Sequence, residues 1–299
     1  MTAPTLTIGQ VQKAVPNATN ITEIGKGGQK IVFAADLDGH RCVLKLMSPD
    51  LDFASLDPSE AGLDAVTARA QREVETMQQC NCPYLVKTGN LPMTNVLIDN
   101  QPYILFSEEL IDGADLRTLL KSGVLPISEI IDLGQHITIA VSALWAQHKI
   151  HRDIKPGNIM RRNADRAFIL LDMGLVFDLD DESLSISPVG TKIYFAPEQM
   201  DFANRRSVMD FRSDLFSLGI VMYEMATGHH PFMTPEVRNS MDVLYNIKNL
   251  TPALPSKYRP EIPSSLDTFI MRLLAKRPAL RYRKIDMVLQ ALEQMKGGR

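Results

Sequence analysis

Cysteine is scarce in this chain: Cys42, Cys80 and Cys82 are the only three in 299 residues. The Cys80-Asn81-Cys82 pair has one intervening residue where zinc knuckles use two or more, and no partner pair follows it. Neither a disulfide scaffold nor a zinc knuckle is therefore expected, and reduced thiols in an intracellular protein are. A basic excess is missing too. With 32 Lys and Arg against 35 Asp and Glu the net charge is -3, which leaves no broad footprint for nucleic acid or an anionic membrane. Long apolar runs are absent, since the most apolar stretch, 215–225, is too short to span a bilayer and contains Glu224. The first ten residues lack the basic and apolar regions of a secretory leader. A cytoplasmic location is the expectation. What the chain does have is a 45% hydrophobic content, enough for a full core.

Along the chain the character changes once. Residues 1–20 contain a short periodic piece (Ile8, Val11, Val15) that reads as an arm or a small helix. Two apolar runs then flank Asp38-Gly39, a strong hairpin dipeptide, with Lys45 on the second run. Val66, Ala70, Val74 and Met77 recur at helical spacing, so 65–80 reads as an amphipathic helix. A second hairpin is expected around Asp99-Asn100-Gln101. Residues 50–64 are acidic, contain Pro58 and read as a loop with a short helical turn. From Asp115 onward helices dominate: 127–149, a nearly all-apolar and hence buried 212–227, then 235–248, 265–274 and 284–295. A strand-rich lobe joined to a larger helical lobe near 108–113 is the expected architecture. No internal repeat is visible.

The chemistry concentrates in His151-Arg152-Asp153-Ile154-Lys155-Pro156-Gly157-Asn158 and, beyond a short hairpin, Leu171-Asp172-Met173-Gly174. Transfer of a γ-phosphoryl group needs metal ligands, a proton acceptor at the incoming hydroxyl and positive charge around the phosphates. Asp153 can be the acceptor, Lys155 a positive charge, and Asn158 with Asp172 the oxygen ligands of Mg2+. The bland alternative is a polar turn between a buried helix and a strand. Upstream, Gly25-Lys26-Gly27-Gly28 sits between two strands, where bare backbone N–H groups can approach phosphate oxygens. Lys45 is on a strand whose neighbours on both faces are apolar, and Glu73 lies on the apolar face of the next helix. The two can pair, which would aim the lysine at the α- and β-phosphates. The alternative for Lys45 is a snorkelling surface lysine.

These motifs, in this order, resemble the eukaryotic-like protein kinase superfamily, and more closely the Ser/Thr kinases found in bacteria. The resemblance runs from Ile21 to Met295. It implies an α+β bilobal protein kinase fold, a small antiparallel-sheet lobe (21–108) and a larger helical lobe (109–299) forming one domain over 21–296, with ATP between the lobes. Gly25, Lys26, Gly27, Gly28, Val32, Glu109 and Met160 would then surround the nucleotide, with Lys45 and Glu73 as an ion pair. Asp153 and Lys155 would be catalytic together with Lys45, and Asn158 and Asp172 would hold Mg2+, or Mn2+ in its place. Asp214 matches the buried aspartate that braces the catalytic loop, and Arg281 the arginine that pairs with Glu198 of Ala196-Pro197-Glu198. Lys155 favours Ser/Thr acceptors. Protein substrates are implied, with self-association for autophosphorylation, and neither nucleic acid nor a membrane span. Arg152 would receive a phosphate on Ser183, Ser185 or Ser187, while Thr191 would hydrogen-bond Asp153 and Lys155. The acidic run Asp178, Asp180, Asp181, Glu182 is either a solvated loop or a substitute for that phosphate.

Some positions depart from the pattern. Lys30 stands where a third glycine is usual, Met173 where phenylalanine is, and Val43 where alanine is. Counting back from Gly113, Glu109 falls on the hinge and Glu108 on the gatekeeper position, or Ser107 if the register shifts by one. A buried carboxylate at 108 is expensive unless paired, and Lys45 is the candidate partner. His148, His229 and His230 lack metal-ligand spacing, and no metal is expected there. Two rivals share much of the kit. One is a pseudokinase that binds nucleotide without turnover; the other is a small-molecule kinase, against which Lys155 and the Ala196-Pro197-Glu198 segment argue.

Overall fold

The computed structural model describes residues 5–27, 30–48, 63–178, 192–200 and 209–297. Gly28, Ser183, Ser185, Ser187, Thr191, the acidic run beyond Asp178 and nearly all of the expected 50–64 loop lie outside these residues. The chain divides into two compact units, Met1–Gln79 with Val86–Ile111, and Cys80–Leu85 with Asp112–Arg299.

The first unit opens with α1 (Ile8–Ala14), which Thr7 and Gln10 start as a capping box: each side chain meets the other's backbone N–H. Strands β1 (Ala18–Gly27), β2 (Lys30–Leu37) and β3 (His40–Met47) follow. Between β2 and β3 Asp38 and Gly39 both take positive φ, 50° and 78°, the primed turn whose twist matches the flanking strands. After α2 (Leu63–Gln79) come β4 (Thr94–Ile98) and β5 (Gln101–Glu109), giving a five-stranded antiparallel sheet in the order β1-β2-β3-β5-β4. The β4–β5 turn is two residues rather than three. Asp99 and Asn100, at φ 51° and 65°, make it, and Gln101 already pairs with Ile98.

Strand alternation sends Ile31, Phe33, Leu44 and Leu46 to one face of this sheet, where Val11 and Val15 from the α1 segment join their cluster. Lys45 points to the other face. There α2 presents a buried stripe at Val66, Ala70, Glu73 and Met77, the i, i+4, i+7 spacing of a helix packed along one side.

The second unit begins with β6 (Gly113–Asp115) and α3 (Leu116–Lys121), whose N-terminus Asp115 caps by accepting from Thr118 N. Helix α4 (Ile127–Trp145) stops four residues short of the expected end. The chain tightens into i→i+3 bonds at Gln147 and His148, and His148 then turns left-handed at φ 53°, freeing β7 (Lys149–Ile150) to run as a strand. Strand β8 (Ile159–Arg162) pairs with β6 on one side and β9 (Phe168–Leu170) on the other, and β10 (Phe177–Asp178) pairs with β7. The remaining helices are α5 (Phe211–Thr227), α6 (Ser240–Asn249), α7 (Ser264–Leu273) and α8 (Ile285–Gly297). Helix α6 begins five residues later than its hydrophobic pattern suggests, because Asn239 caps it with Asp242 in a reciprocal box.

Helix α5 is buried on nearly every side, as its apolar run predicts. Packing on it is close at two glycines, tightest at Gly219. A Cβ on Gly134 of α4 would come 3.0 Å from Met222 Cε, and one on Gly219 would come 2.8 Å from Leu273 Cβ of α7. No helix among the described residues is long and apolar enough to cross a membrane. The three cysteines are free and buried.

Arg281, only 1% exposed, satisfies all five of its guanidinium N–H groups. Nη1 and Nη2 grip Glu198 Oε1 and Oε2 at 2.6 and 2.8 Å, and Arg212 O, Ala275 O and Lys276 O take the rest. Removing one side of such a pair strands the other charge in the core. Arg281→Met is therefore expected to lower unfolding free energy by about 3–5 kcal/mol, read by urea denaturation.

His230 is buried as a neutral ring, its Nε2 3.1 Å from Ile193 O and its Nδ1 accepting from Phe232 N. Burial lowers its pKa from 6.5 to about 4 against the raising effect of the Ile193 bond. The unfolded chain thus takes up the proton first. The native advantage is complete above the ordinary value and shrinks as pH falls through the folded one, a loss of about 3 kcal/mol at full linkage. Denaturation series between pH 7 and pH 4 should show this slope in the wild-type chain and a flatter one in His230→Asn.

Candidate active site

Asp214, in the first turn of α5, is 1% exposed. Its two carboxylate oxygens accept the backbone N–H groups of His151 and Arg152 at 2.8 and 2.9 Å. Burial pushes this carboxyl up, and these two backbone donors pull it down. The grip permits Arg152 to hold φ 66°, a left-handed conformation that a non-glycine residue keeps only under such constraint. Arg152 Nε donates to Leu175 O at 2.9 Å.

His151 ties this loop to the next. Its Nδ1 accepts from Asp153 N, and its Nε2 meets Leu171 O at 3.1 Å, so the ring is a neutral Nε2–H tautomer between the two motif segments. Leu171 N also donates to Asn158 O at 2.8 Å. The carboxylate at 172 and the amide at 158 are thereby held in fixed relation at the ends of the β8–β9 hairpin.

Asp153 is 4% exposed. Its Oδ2 receives Lys155 Nζ at 2.6 Å and Asn158 Nδ2 at 2.8 Å, and Asn158 Nδ2 also reaches Asp153 O at 2.9 Å. Its Oδ1 is buried and has no hydrogen-bond donor among the described residues. Because the Asn158 amide nitrogen is spent on Asp153, the carbonyl end of that side chain is left as an acceptor. Asp172 sits left-handed at φ 64°, ψ 78°, with Oδ1 accepting from Gly174 N, and Met173 beside it is buried. Met160 lies half-buried on β8, opposite Asp115 and Ile169.

In the first unit, Lys45 Nζ meets Glu73 Oε1 at 2.5 Å in a buried ion pair. Val43 pairs with Glu108 and Lys45 with Phe106 in the β3–β5 ladder, so Glu108 shares the Lys45 face. Its Oε2 stands 2.6 Å from Nζ. Ser107, equally buried, points the other way and bonds Leu91 N and O. Glu109 N and Oε1 engage Lys87 O and N. Val32 lies between Gly25 and Lys45 across the ladders, Lys26 faces Ile31, and Gly27 pairs with Lys30 at the end of the β1–β2 hairpin. Gly25 faces Val32 with ordinary room for a Cβ, 3.8 Å away.

Sequence reasoning passed over some polar groups near the catalytic loop. Tyr194 OH donates to Glu224 at 3.0–3.1 Å, and burial pushes the Glu224 carboxyl up to about 7. Arg117 of α3 lies over Gly157, where a Cβ would come 2.8 Å from its Nη2. The role of His151 as a clamp was also unforeseen; its one signal is an imidazole two residues before the candidate base.

Comparison with known proteins identifies the class. The protein kinase domain profile matches residues 19–293, and the chain belongs to that family. It is 31% identical over 278 residues to a Streptomyces coelicolor protein named as a probable serine/threonine-protein kinase, covering 88% of this chain and 37% of the relative. It is 32% identical over 268 residues to the serine/threonine-protein kinase PknB of Mycobacterium leprae, covering 87% and 40%. It is 33% identical over 264 residues to the serine/threonine-protein kinase PknE of Mycobacterium tuberculosis, covering 87% and 42%. The chain thus spans about two fifths of the length of these relatives.

Asp214→Asn keeps the shape but turns an N–H donor toward one of two backbone donors. It is expected to cost about 1–3 kcal/mol of stability and to speed amide hydrogen exchange at His151 and Arg152 well above that of α5.

Proposed function

We propose that the chain is a Ser/Thr protein kinase that transfers the γ-phosphoryl group of ATP to protein hydroxyls, its own among them. One domain over 21–296 would act, with lobes 21–108 and 109–299. The observation that carries the reading is the buried, donorless Oδ1 of Asp153, in a loop whose neighbouring polar groups are engaged. A carboxylate oxygen left bare at such a place loses stability unless something arrives to use it, and an incoming hydroxyl would.

The donor set also suits the metal. Two protein oxygens, from Asn158 and Asp172, match Mg2+ (or Mn2+), which keeps waters and phosphate oxygens as further ligands. No cluster of three or more His, Cys, Asp or Glu suited to a dedicated cage occurs among the described residues. Bound magnesium would neutralise phosphate charge. Asp153 would orient the acceptor hydroxyl and take its proton as transfer proceeds. Lys155, 2.6 Å from the same carboxylate, would steady the transferring group and admit Ser and Thr. Lys45, braced by Glu73, would hold the α- and β-phosphates. Gly25 to Gly28, Val32, Glu109 and Met160 would enclose the nucleotide. The relatives' names support protein acceptors. Self-association would serve autophosphorylation, and the cytoplasm is the proposed location.

Radiolabelled ATP, a generic acceptor protein and a phosphosite map test this together. Label on Ser and Thr is expected. Asp153→Asn should reduce transfer by about 10²–10⁴-fold while nucleotide affinity stays within a few fold; binding without any label in the wild-type chain would leave only a nucleotide-binding module.

A further inference from the structure

Glu108 is the member of the Lys45 cluster that the reading above leaves without a task. Two carboxylates converge on one ammonium, Glu73 Oε1 at 2.5 Å and Glu108 Oε2 at 2.6 Å, and all three residues are buried. The contacts differ in kind. Glu73 Oε1 accepts an aligned hydrogen bond, whereas Glu108 Oε2 stands at ion-pair distance from the same ammonium without that alignment. Glu73 Oε2 has no donor among the described residues.

We propose that Glu108 competes with the nucleotide's phosphates for the Lys45 ammonium, which makes the Glu73–Lys45–Glu108 cluster an internal brake on nucleotide binding. This rests on the reading of Lys45 as a phosphate ligand.

With both carboxylates ionised the cluster carries one negative charge in excess, in a site with little water to screen it. A phosphate approaching Lys45 meets that excess and has to displace a carboxylate. Glu108 is the one that yields, since its contact is unaligned. Protonation from solvent removes the competitor and leaves the Glu73 pair intact. The groups facing Glu108 are Lys45 from β3, Glu73 from α2 and, at longer range, Lys30 from β2. Burial raises its carboxyl above the ordinary range, Lys45 lowers it and Glu73 raises it further. Falling pH therefore neutralises Glu108 well before an exposed glutamate would change, and the brake releases in that direction.

Equilibrium binding of magnesium-saturated ADP to the purified chain, from pH 8 down to the range where exposed carboxylates begin to titrate, decides the matter. At pH 8 Glu108→Gln should bind about tenfold more tightly than wild type. Wild-type affinity should rise toward the variant's as pH falls, while the variant's profile stays flat. Glu108→Met, similar in volume and uncharged, should behave as Glu108→Gln does. Measurable binding with equal affinities and parallel pH profiles overturns this inference alone. No binding by wild type or either variant overturns the nucleotide reading, and this one with it. If neither variant folds, the wild-type profile decides: affinity that fails to rise on acidification sinks the brake.

Discussion

A single carboxylate on a buried helix sets the course of the catalytic loop. Asp214 accepts two consecutive backbone N–H groups, from His151 and Arg152, and consecutive amides can face one acceptor only if the chain between them bends sharply. The bend is the left-handed Arg152. Such a residue costs on the order of 1–2 kcal/mol, and hydrogen bonds to a charged acceptor are worth about 1.5–3 kcal/mol each. The balance favours the strained turn. Asp153, Lys155 and Asn158 all follow from it within five residues, so their mutual geometry is inherited from a rigid helix rather than left to a loop. Asp214 is the acidic side chain of the first turn of α5.

Two buried ion clusters show how satisfaction separates scaffold from site. The Arg281–Glu198 pair uses every guanidinium donor, and Ser213 Oγ adds a further bond to Glu198 Oε1. Every charge is answered, so the pair behaves as structure. Around Lys45 the count does not close: two carboxylates share one ammonium, and Glu73 Oε2 is left over. Asp153 keeps a bare oxygen in the same way. Buried acceptors without donors are rare because each is destabilising. Their concentration on residues singled out by spacing alone is a physical argument for function that does not depend on resemblance.

Much of this was legible in the residues themselves. Asp38-Gly39 marked a hairpin because few dipeptides tolerate two positive φ values, and 212–227 marked a buried helix because it has no polar face. The motif spacing placed Asp153, Lys155 and Asn158 together because they are local, and the β8–β9 hairpin brings Asp172 back to them through Leu171 N and Asn158 O. Helix ends were less legible. The apolar period runs on past Trp145 and begins before Ser240, and hydrogen bonding at His148 and Asn239 decides where each helix ends or begins. The choice between Ser107 and Glu108 was undecidable from pattern, since alternation identifies the inner face only when the other face is wet. Both faces of β5 are buried, and only the pairing of Val43 with Glu108 resolves it.

That double burial has a further consequence for the charges. An antiparallel sheet usually leaves one face to solvent, but here the α1 segment covers the face carrying Phe33 and Leu44 while α2 covers the face carrying Lys45. Water is excluded from both sides of β3 and β5, as the near-continuous burial of 42–47 and 103–108 shows. A carboxylate at 108 on a half-wet sheet would be screened and would matter little to its neighbours. In this sheet its charge is felt at nearly full strength by Lys45, 2.6 Å away. The seven-residue helix ahead of the sheet, remote in sequence from every motif, therefore helps set the electrostatics of the lysine that the motifs single out.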